Sequence, residues 1–298
     1  MHNLNFKFLK KRILFIVNPI SGGLNKTFFP SLLDQYLDHY LFNAEIVFSE
    51  YNGHAMALAA NAVKANFDII VAVGGDGTIN EVASEVESSG KIMAIIPCGS
   101  GNGLARTLGI PLNNIKAIQR INLLNTTKID AGIFNGKKFF NMAGMGFDAH
   151  ISAIFAGNHK RGFKGYIKTT LKEISTYKPE RYIIEIDGEQ FERTAFMLSI
   201  ANSSQYGNNA HVSPTASLKD GLLDYCIIKP FSMYAFPALG FRMFAKSAQY
   251  SKYVEIIKGK QVSIIRDKSG PVHLDGEPSM MDKDLLITVK HLALELVI

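Results

Sequence analysis

The chain has 298 residues, 47% of them hydrophobic and 19% charged, so it can build one or two domains with sizeable cores and is not a disordered segment. Its formal net charge of +6 is modest for a nucleic-acid binder, which argues against a nucleic-acid partner and suits an anionic membrane surface or substrate. No run of about 18 apolar residues occurs, so a membrane-spanning helix is not expected, and the two cysteines, Cys98 and Cys226, lack metal-ligand spacing and read as free thiols of a reducing, cytoplasmic compartment.

The basic residues Lys7, Lys10, Lys11 and Arg12 precede Ile13 to Val17, an apolar run too short for a signal-peptide core and suited to a buried strand. A helical pattern follows over 28–40, a strand over 45–48, an alanine-rich helix over 55–65 and a strand over 68–73. The pattern continues with a helix over 79–86, a strand over 91–96, and helix again from Asn102. Strands alternating with helices predict a parallel sheet with crossover helices. After about residue 127 the pattern changes. Asn135-Gly136 and Asp187-Gly188 each separate two strand-like runs and predict hairpins, 129–134 with 138–142 and 182–186 with 191–200. Further strands are expected over 222–228, 254–257, 262–266 and 285–289, with helical insertions near 147–176 and 232–248. The expected organisation is an α/β domain over 1–127 and a mainly antiparallel β domain over 128–298.

Three turns of the first half sit where strands end: Asn18-Pro19-Ile20-Ser21-Gly22-Gly23, Gly74-Gly75-Asp76-Gly77-Thr78, and Pro97 through Gly103. Ligands of open α/β sheets bind at the carboxyl ends of the strands. Glycine lets the backbone approach a phosphate and aim several N–H groups at it, and a helix starting just beyond adds its positive end. Any one of these turns also reads as an ordinary strand-to-helix turn. Asp76 among phosphate-binding amides makes sense with a cation between carboxylate and phosphates, and Mg²⁺ fits; the other reading of Asp76 is a helix cap. The motifs GxxxxGK[ST], GxGxxG, GxSxG and HExxH are absent.

Taken in order, Asn18-Pro-Ile-Ser-Gly22, Gly74-Gly-Asp-Gly-Thr78-Ile79-Asn80-Glu81, Pro97-Cys-Gly-Ser-Gly-Asn102 and Leu274-Asp-Gly-Glu-Pro278 resemble the diacylglycerol kinase catalytic-domain family. That family takes in soluble bacterial diacylglycerol kinases, YegS-like lipid kinases, and sphingosine and ceramide kinases. The resemblance implies an N-terminal nucleotide-binding α/β domain, a C-terminal antiparallel β-sandwich domain and an active site in the interdomain cleft. It implies ATP as co-substrate, Mg²⁺ as cofactor and a lipid hydroxyl as acceptor. ATP is then expected at Asn18, Pro19, Ile20, Ser21, Gly22, Ser49, Gly74, Gly75, Asp76, Gly77, Thr78, Ile79, Asn80 and Ser100. By the same resemblance Glu277 is the general base, Asp76 supports the metal, and Asp130 joins a water and metal network near the nucleotide. The stretch Ser217 to Leu222 is similar to a structural Mg²⁺ loop, with Asp220 giving its carboxylate and Ser217 and Leu222 their carbonyls; a plain Asp-Gly turn is the other reading. The third turn reads Asn102-Gly103 where soluble bacterial diacylglycerol kinases carry Asn-Asp, and is closer to sphingosine and ceramide kinases.

Two segments bear on a lipid. The stretch 158–172 interleaves Lys160, Arg161, Lys164, Lys168 and Lys172 with apolar residues, as in a helix lying on an anionic surface or one packing its apolar face on the core. Phe231 to Phe244 is apolar almost all round; the reading preferred here is a buried helix, with an acyl-chain channel as the other. Together these features predict a cytoplasmic, peripherally membrane-associated lipid kinase, with exposed sheet edges that would permit a homodimer. The alternatives are a sphingoid-base or ceramide-type kinase, an NAD kinase-like enzyme, and a non-catalytic nucleotide- and lipid-binding regulator.

Overall fold

The computed structural model describes residues 10–23, 26, 28–156 and 170–298. The chain forms two compact units: Met1–Gly99, Gly109–Thr127 and Leu294–Ile298 make the first, and Ser100–Leu108 with Lys128–Ala293 make the second. The sequence places one boundary at residue 127; by contacts the chain crosses there and also after Gly99, Leu108 and Ala293.

The first unit alternates β1 (Lys11–Val17), α1 (Phe29–Tyr36), β2 (Phe42–Phe48), α2 (His54–Lys64), β3 (Ile69–Gly74), α3 (Asp76–Val86) and β4 (Ile92–Pro97). The chain leaves it for α4 (Gly103–Thr107) and returns for α5 (Asn114–Asn122). The strands lie in the order β2-β1-β3-β4, all parallel. Alternate residues Ile13, Phe15, Val17, Ile69, Val71 and Val73 pack against Phe29 and Leu33 of α1 and Ile118 and Ile121 of α5. The intervening residues Leu14, Ile16, Ile70 and Ala72 are equally buried, on the face where α2 meets β1 and α3 meets β3. Burial on both faces is why these strands read as continuous apolar runs. Because β1 leads to β2 on one side and β3 lies on the other, the strand order reverses between β1 and β3.

In the second unit β5 (Thr126–Phe134), which enters from the first unit at Lys128, and β6 (Lys137–Phe139) form a hairpin, followed by β7 (Met142–Gly146), α6 (Phe147–Ala156), β8 (Glu180–Ile186), β9 (Glu189–Ala195), β10 (Met197–Ala201) and β11 (Leu223–Ile228). After α7 (Phe236–Phe244) come β12 (Val254–Gly259), β13 (Gln261–Arg266), β14 (Gly270–Leu274), β15 (Glu277–Met281) and β16 (Asp284–Val297). One antiparallel sheet runs β12-β11-β10-β7-β14-β15; the other is built on β9, β8, β13 and the first part of β16, with β5 and β6 beside it. Tyr182, Ile184, Val262, Ile264 and Ile287 of one sheet meet Met145, Leu198, Ile200, Tyr225 and Val272 of the other in a shared core, so this unit is a β-sandwich. The far end of β16 belongs to the first unit, where Glu295 and Leu296 pair in parallel with Ile92 and Met93 of β4.

The expected strand 191–200 is two strands, β9 and β10, in different sheets. The strands β7, β14 and β15 were not foreseen: β7 reads Met-Ala-Gly-Met-Gly, β14 opens Gly-Pro, and β15 carries Pro278. Those residues weaken a strand pattern, and β15 tolerates its proline as the edge strand. The segment 231–244 also departs from its expectation: it is a surface helix that buries Leu239, while Phe241 and Phe244 are exposed.

Candidate active site

The carboxyl ends of β2, β1, β3 and β4 lie along one edge of the parallel sheet and lead into Ser49, Asn18, Gly75 and Cys98. At the strand-order reversal the Asn18 backbone N–H donates to the Val73 carbonyl at 3.0 Å, and Asn18 Nδ2 donates to Thr78 Oγ1 at 3.0 Å. Asn18 Oδ1 accepts from the Ile20 N–H at 3.2 Å, which curls the first turn. A Cβ on Gly74 would stand 2.5 Å from the Thr78 side chain, so the spacing of glycine and threonine in the second turn is steric. A Cβ on Gly75 would come within 3.2 Å of Gly99 Cα, and one on Gly22, whose φ is +68°, within 2.1 Å of the Cys98 carbonyl oxygen. The Cys98 N–H donates to the Gly74 carbonyl at 2.7 Å. The first turn thus touches the second through Asn18 and Thr78, and both touch the third with glycine at the contact.

Helix α3 begins at Asp76 with Gly75 as its cap residue. Asp76 is therefore the first helical residue and not the capping side chain, in a turn whose leading N–H groups have no partner within the helix. Thr78 and Ile79 are buried and Asn80 is half-buried. Ser49 is buried at the end of β2, its N–H donating to Val17 at 2.9 Å. Pro19 and Ser21 are half-buried, and Ile20 is exposed. Glu81, part of the second motif, caps α2 through the N–H groups of Gly53 at 3.0 Å and Met56 at 3.3 Å.

Sequence reasoning missed Lys26. The residue is 2% exposed, and its ammonium donates to the Asn18 carbonyl at 2.7 Å, the Ser21 carbonyl at 2.8 Å and Ser21 Oγ at 2.6 Å, and so fixes the first turn. Burial pushes its pKa below the usual lysine range, with the nearby Cys98 opposing that shift. Burial likewise raises the Cys98 thiol, while Lys26 and Asn114 oppose it. A lysine in a polar loop carries no sequence signal that it will fold inward. Both cysteines are free.

In the second unit Asp130 is fully buried. Its Oδ2 accepts from the Gly221 N–H at 2.7 Å, and its Oδ1 accepts from the Leu292 N–H at 2.7 Å and lies 2.8 Å from His291 Nδ1. It is a junction that ties the 217–222 loop to β16. Asp275 is equally structural: Oδ2 accepts from Phe140 N–H, and Oδ1 from Asn141 and Met142 N–H, all at 2.9 Å. With φ values of +49° and +89°, Asp275-Gly276 forms the tight turn between β14 and β15. Glu277 opens β15 opposite Leu274; it is exposed, and its carboxylate makes no hydrogen bond or ion pair among the described residues.

The 217–222 loop holds Asp220 by its own turn, with the Leu222 N–H donating to Oδ1 at 3.2 Å. Asp220 Oδ2 meets the Lys258 ammonium at 3.1 Å, and that ammonium also lies 3.3 Å from Asp224 Oδ1. The loop carboxylate therefore already faces a cation supplied by the chain. Among the described residues no group of three or more His, Cys, Asp or Glu side chains could hold a metal.

The third turn is divided: Ser100 and Asn102 fall in the second unit, where Asn102 bridges to Gly207. A Cβ on Gly103 would lie 2.4 Å from Asn141 Nδ2 and 2.8 Å from the Tyr206 carbonyl, so glycine is required by crowding. The basic-aromatic segment lies outside the described residues from 157 to 169. No helix among the described residues is long and apolar enough to cross a membrane.

Comparison with known proteins now bears on these halves. Residues 12–134 match the diacylglycerol kinase catalytic domain, and residues 141–297 match the YegS C-terminal NAD kinase beta sandwich-like domain. The chain is 28% identical to the diacylglycerol kinase of Bacillus subtilis (strain 168), over 90% of each chain. It is 33% identical to a probable lipid kinase, YegS-like, of Pseudomonas aeruginosa (strain UCBPP-PA14), over 76% of each. Its fold matches a solved diacylglycerol kinase structure from Bacillus anthracis str. Sterne with a TM-score of 0.75 at 23% identity over 96% of each chain. A looser match, TM-score 0.51 at 14% identity over 96% of this chain and 93% of the other, is an NAD kinase from Archaeoglobus fulgidus in complex with ATP. With both halves matched in order along its length, this chain belongs to the diacylglycerol kinase and YegS-like family of lipid kinases.

Proposed function

We propose that this protein transfers the γ-phosphoryl group of ATP to the hydroxyl of a membrane lipid, diacylglycerol or a related lipid, working from the cytoplasm at a membrane surface. The observation that carries this reading is the mutual contact of three glycine-bearing turns at the carboxyl edge of the parallel sheet, beside the start of α3. Phosphoryl transfer asks the protein chiefly to position two substrates and neutralise charge. Asn18 to Gly22 and Gly74 to Asn80 contact the phosphates, with the leading N–H groups of α3 as donors, Ser49 and Ser100 contact the nucleotide, and Lys26 holds the first turn in shape. Mg²⁺, when bound with the nucleotide, would spread the charge on the phosphoryl oxygens, and Asp76 is the carboxylate placed to hold it.

Glu277 accepts the proton of the attacking hydroxyl. Its exposure and lack of partners leave the carboxylate free to do so, whereas Asp275 and Asp130 spend their oxygens on backbone N–H groups. Asp130 is a positioning residue in this scheme.

The test is labelled ATP with mixed micelles of diacylglycerol, monoacylglycerol, sphingoid base, ceramide or phosphatidylglycerol. Label is expected in one of these lipids and only with Mg²⁺. Phosphorylation of NAD and of no lipid would overturn the acceptor class. ATP binding without turnover across the whole panel would overturn catalysis.

A further inference from the structure

Helix α7 is apolar on two sides, and only one of them has protein beneath it. Phe236, Leu239 and Met243 pack on the cluster that covers the outer face of the β12-β11-β10-β7-β14-β15 sheet. At the helical period the opposite side carries Pro237, Ala238, Phe241, Phe244 and Ala245, all exposed, with Phe241 72% and Phe244 54% exposed. Just upstream, Met233 and Tyr234 are 47% and 97% exposed. Single exposed hydrophobic side chains are ordinary on a protein surface, but a run of large ones along one helix face is a contact surface.

The segment that carries this face has charges of one sign. Between Phe231 and Tyr253 the chain carries Arg242, Lys246 and Lys252 and no aspartate or glutamate. None of these three cations is in an ion pair among the described residues. Apolar aromatic side chains interleaved with cations outside ion pairs, in a segment with no acid of its own to repel anionic headgroups, are the composition of a helix that lies in a bilayer interface. Tyrosine suits the headgroup level itself.

We infer that the outer face of α7, with Met233 and Tyr234, docks on an anionic bilayer, Phe241 and Phe244 entering the acyl boundary while Arg242, Lys246 and Lys252 meet the headgroups. The inference rests on the lipid-kinase reading for its purpose, but the docking itself requires neither ATP nor turnover.

The experiment is vesicle flotation of the full chain without nucleotide, with phosphatidylglycerol–phosphatidylcholine vesicles against phosphatidylcholine alone. The wild-type chain is expected to float with the anionic vesicles, and Phe241→Ser/Phe244→Ser to lower its partition about tenfold or more. Lys246→Glu/Lys252→Glu is expected to abolish the preference for phosphatidylglycerol, again by about tenfold or more. All four positions are exposed, so an unchanged unfolding midpoint is expected and would show that these variants fold. Absence of wild-type flotation, or full flotation of Phe241→Ser/Phe244→Ser, would overturn the inference. So would a wild-type dimer that these substitutions turn into a monomer without any vesicle binding, because a second copy would then be what covers the face. Phosphorylation of lipid in detergent micelles separates the two claims. Flotation with no micellar activity on any lipid leaves docking standing and removes the kinase reading; micellar activity without flotation does the reverse.

Discussion

Replacing Asp275 with asparagine separates the structural half of the Asp275-Gly276-Glu277 motif from the proposed chemical half. The Asp275 carboxylate is buried and accepts three backbone N–H groups at 2.9 Å. In Asp275→Asn one oxygen can still serve Asn141 and Met142, but an NH₂ group then faces the Phe140 N–H, donor against donor. The change removes one charge-assisted hydrogen bond and leaves a buried donor unmatched, a loss of about 4 kcal/mol in total. With an m-value of about 3 kcal/mol/M for a chain of this size, the urea midpoint should fall by about 1 M. Glu277→Gln alters an exposed, unpartnered side chain, so its midpoint should stay within about 0.2 M of wild type. Its kcat on the lipid substrate should nevertheless fall by about 10² to 10⁴, the range for a general base. The assay is urea unfolding followed by circular dichroism, with micellar kinase rates on the same preparations. A wild-type midpoint for Asp275→Asn would refute the hydrogen-bond argument. Full kcat for Glu277→Gln would refute the base assignment.

Gly22→Ala puts a methyl group into the Cys98 carbonyl at a left-handed φ, and is expected to raise the KM for ATP about tenfold or more while the lipid KM holds; equal ATP kinetics would count against the phosphate-turn assignment. Gly103→Asp must displace Asn141 and is expected to cost about 2 kcal/mol in unfolding free energy, with no gain in Mg²⁺ affinity, as measured by denaturation and metal titration. Lys258→Met leaves Asp220 and Asp224 facing each other without their shared ammonium; its thermal midpoint should drop and be partly restored by millimolar Mg²⁺, and a drop that Mg²⁺ cannot restore would mean the loop takes no metal. Arg193 and Lys229 hold Glu255 down to about 2, below the usual carboxylate range, and Arg193 reaches it from the other sheet of the sandwich. Because the folded value is the lower one, this pairing stabilises above roughly pH 4.5 and is lost as pH falls through about 2. The advantage over Glu255→Gln, about 1 kcal/mol after screening, should therefore persist at roughly pH 4 and vanish near pH 2 in pH-dependent unfolding.

The first unit was readable because each strand is buried on both faces and each helix carries one apolar stripe, so runs such as Ile13 to Val17 and Ile69 to Val73 announce themselves. The hairpin turns Asn135-Gly136 and Asp187-Gly188 were readable for a different reason: both residues of each take positive φ, which few pairs tolerate. Glycine and proline hid β7, β14 and β15. Composition could not tell which side of α7 faces the core, because both sides are apolar; the helix expected to be buried lies at the surface. At the candidate site, residue type and order marked Asn18, Gly74 to Thr78 and Glu277, whereas Lys26 and the clamping role of Asp275 depend on backbone groups brought together from elsewhere in the chain.

The path of β16 has a consequence for biosynthesis. Leu296 pairs beside Met93, about two hundred residues away in sequence, and Ile298 N–H donates to the Asn125 carbonyl at 2.8 Å. A nascent chain that has emptied β1 to β4 from the ribosome still lacks the segment that closes the edge of β4. At about 5–20 residues per second that edge stays open for roughly 10 to 40 s. Ile92 to Pro97 is apolar, and an unpaired apolar strand edge is a template for the wrong partner. The α/β unit is translated first but completed last, so its assembly is gated by arrival of residues 294–298.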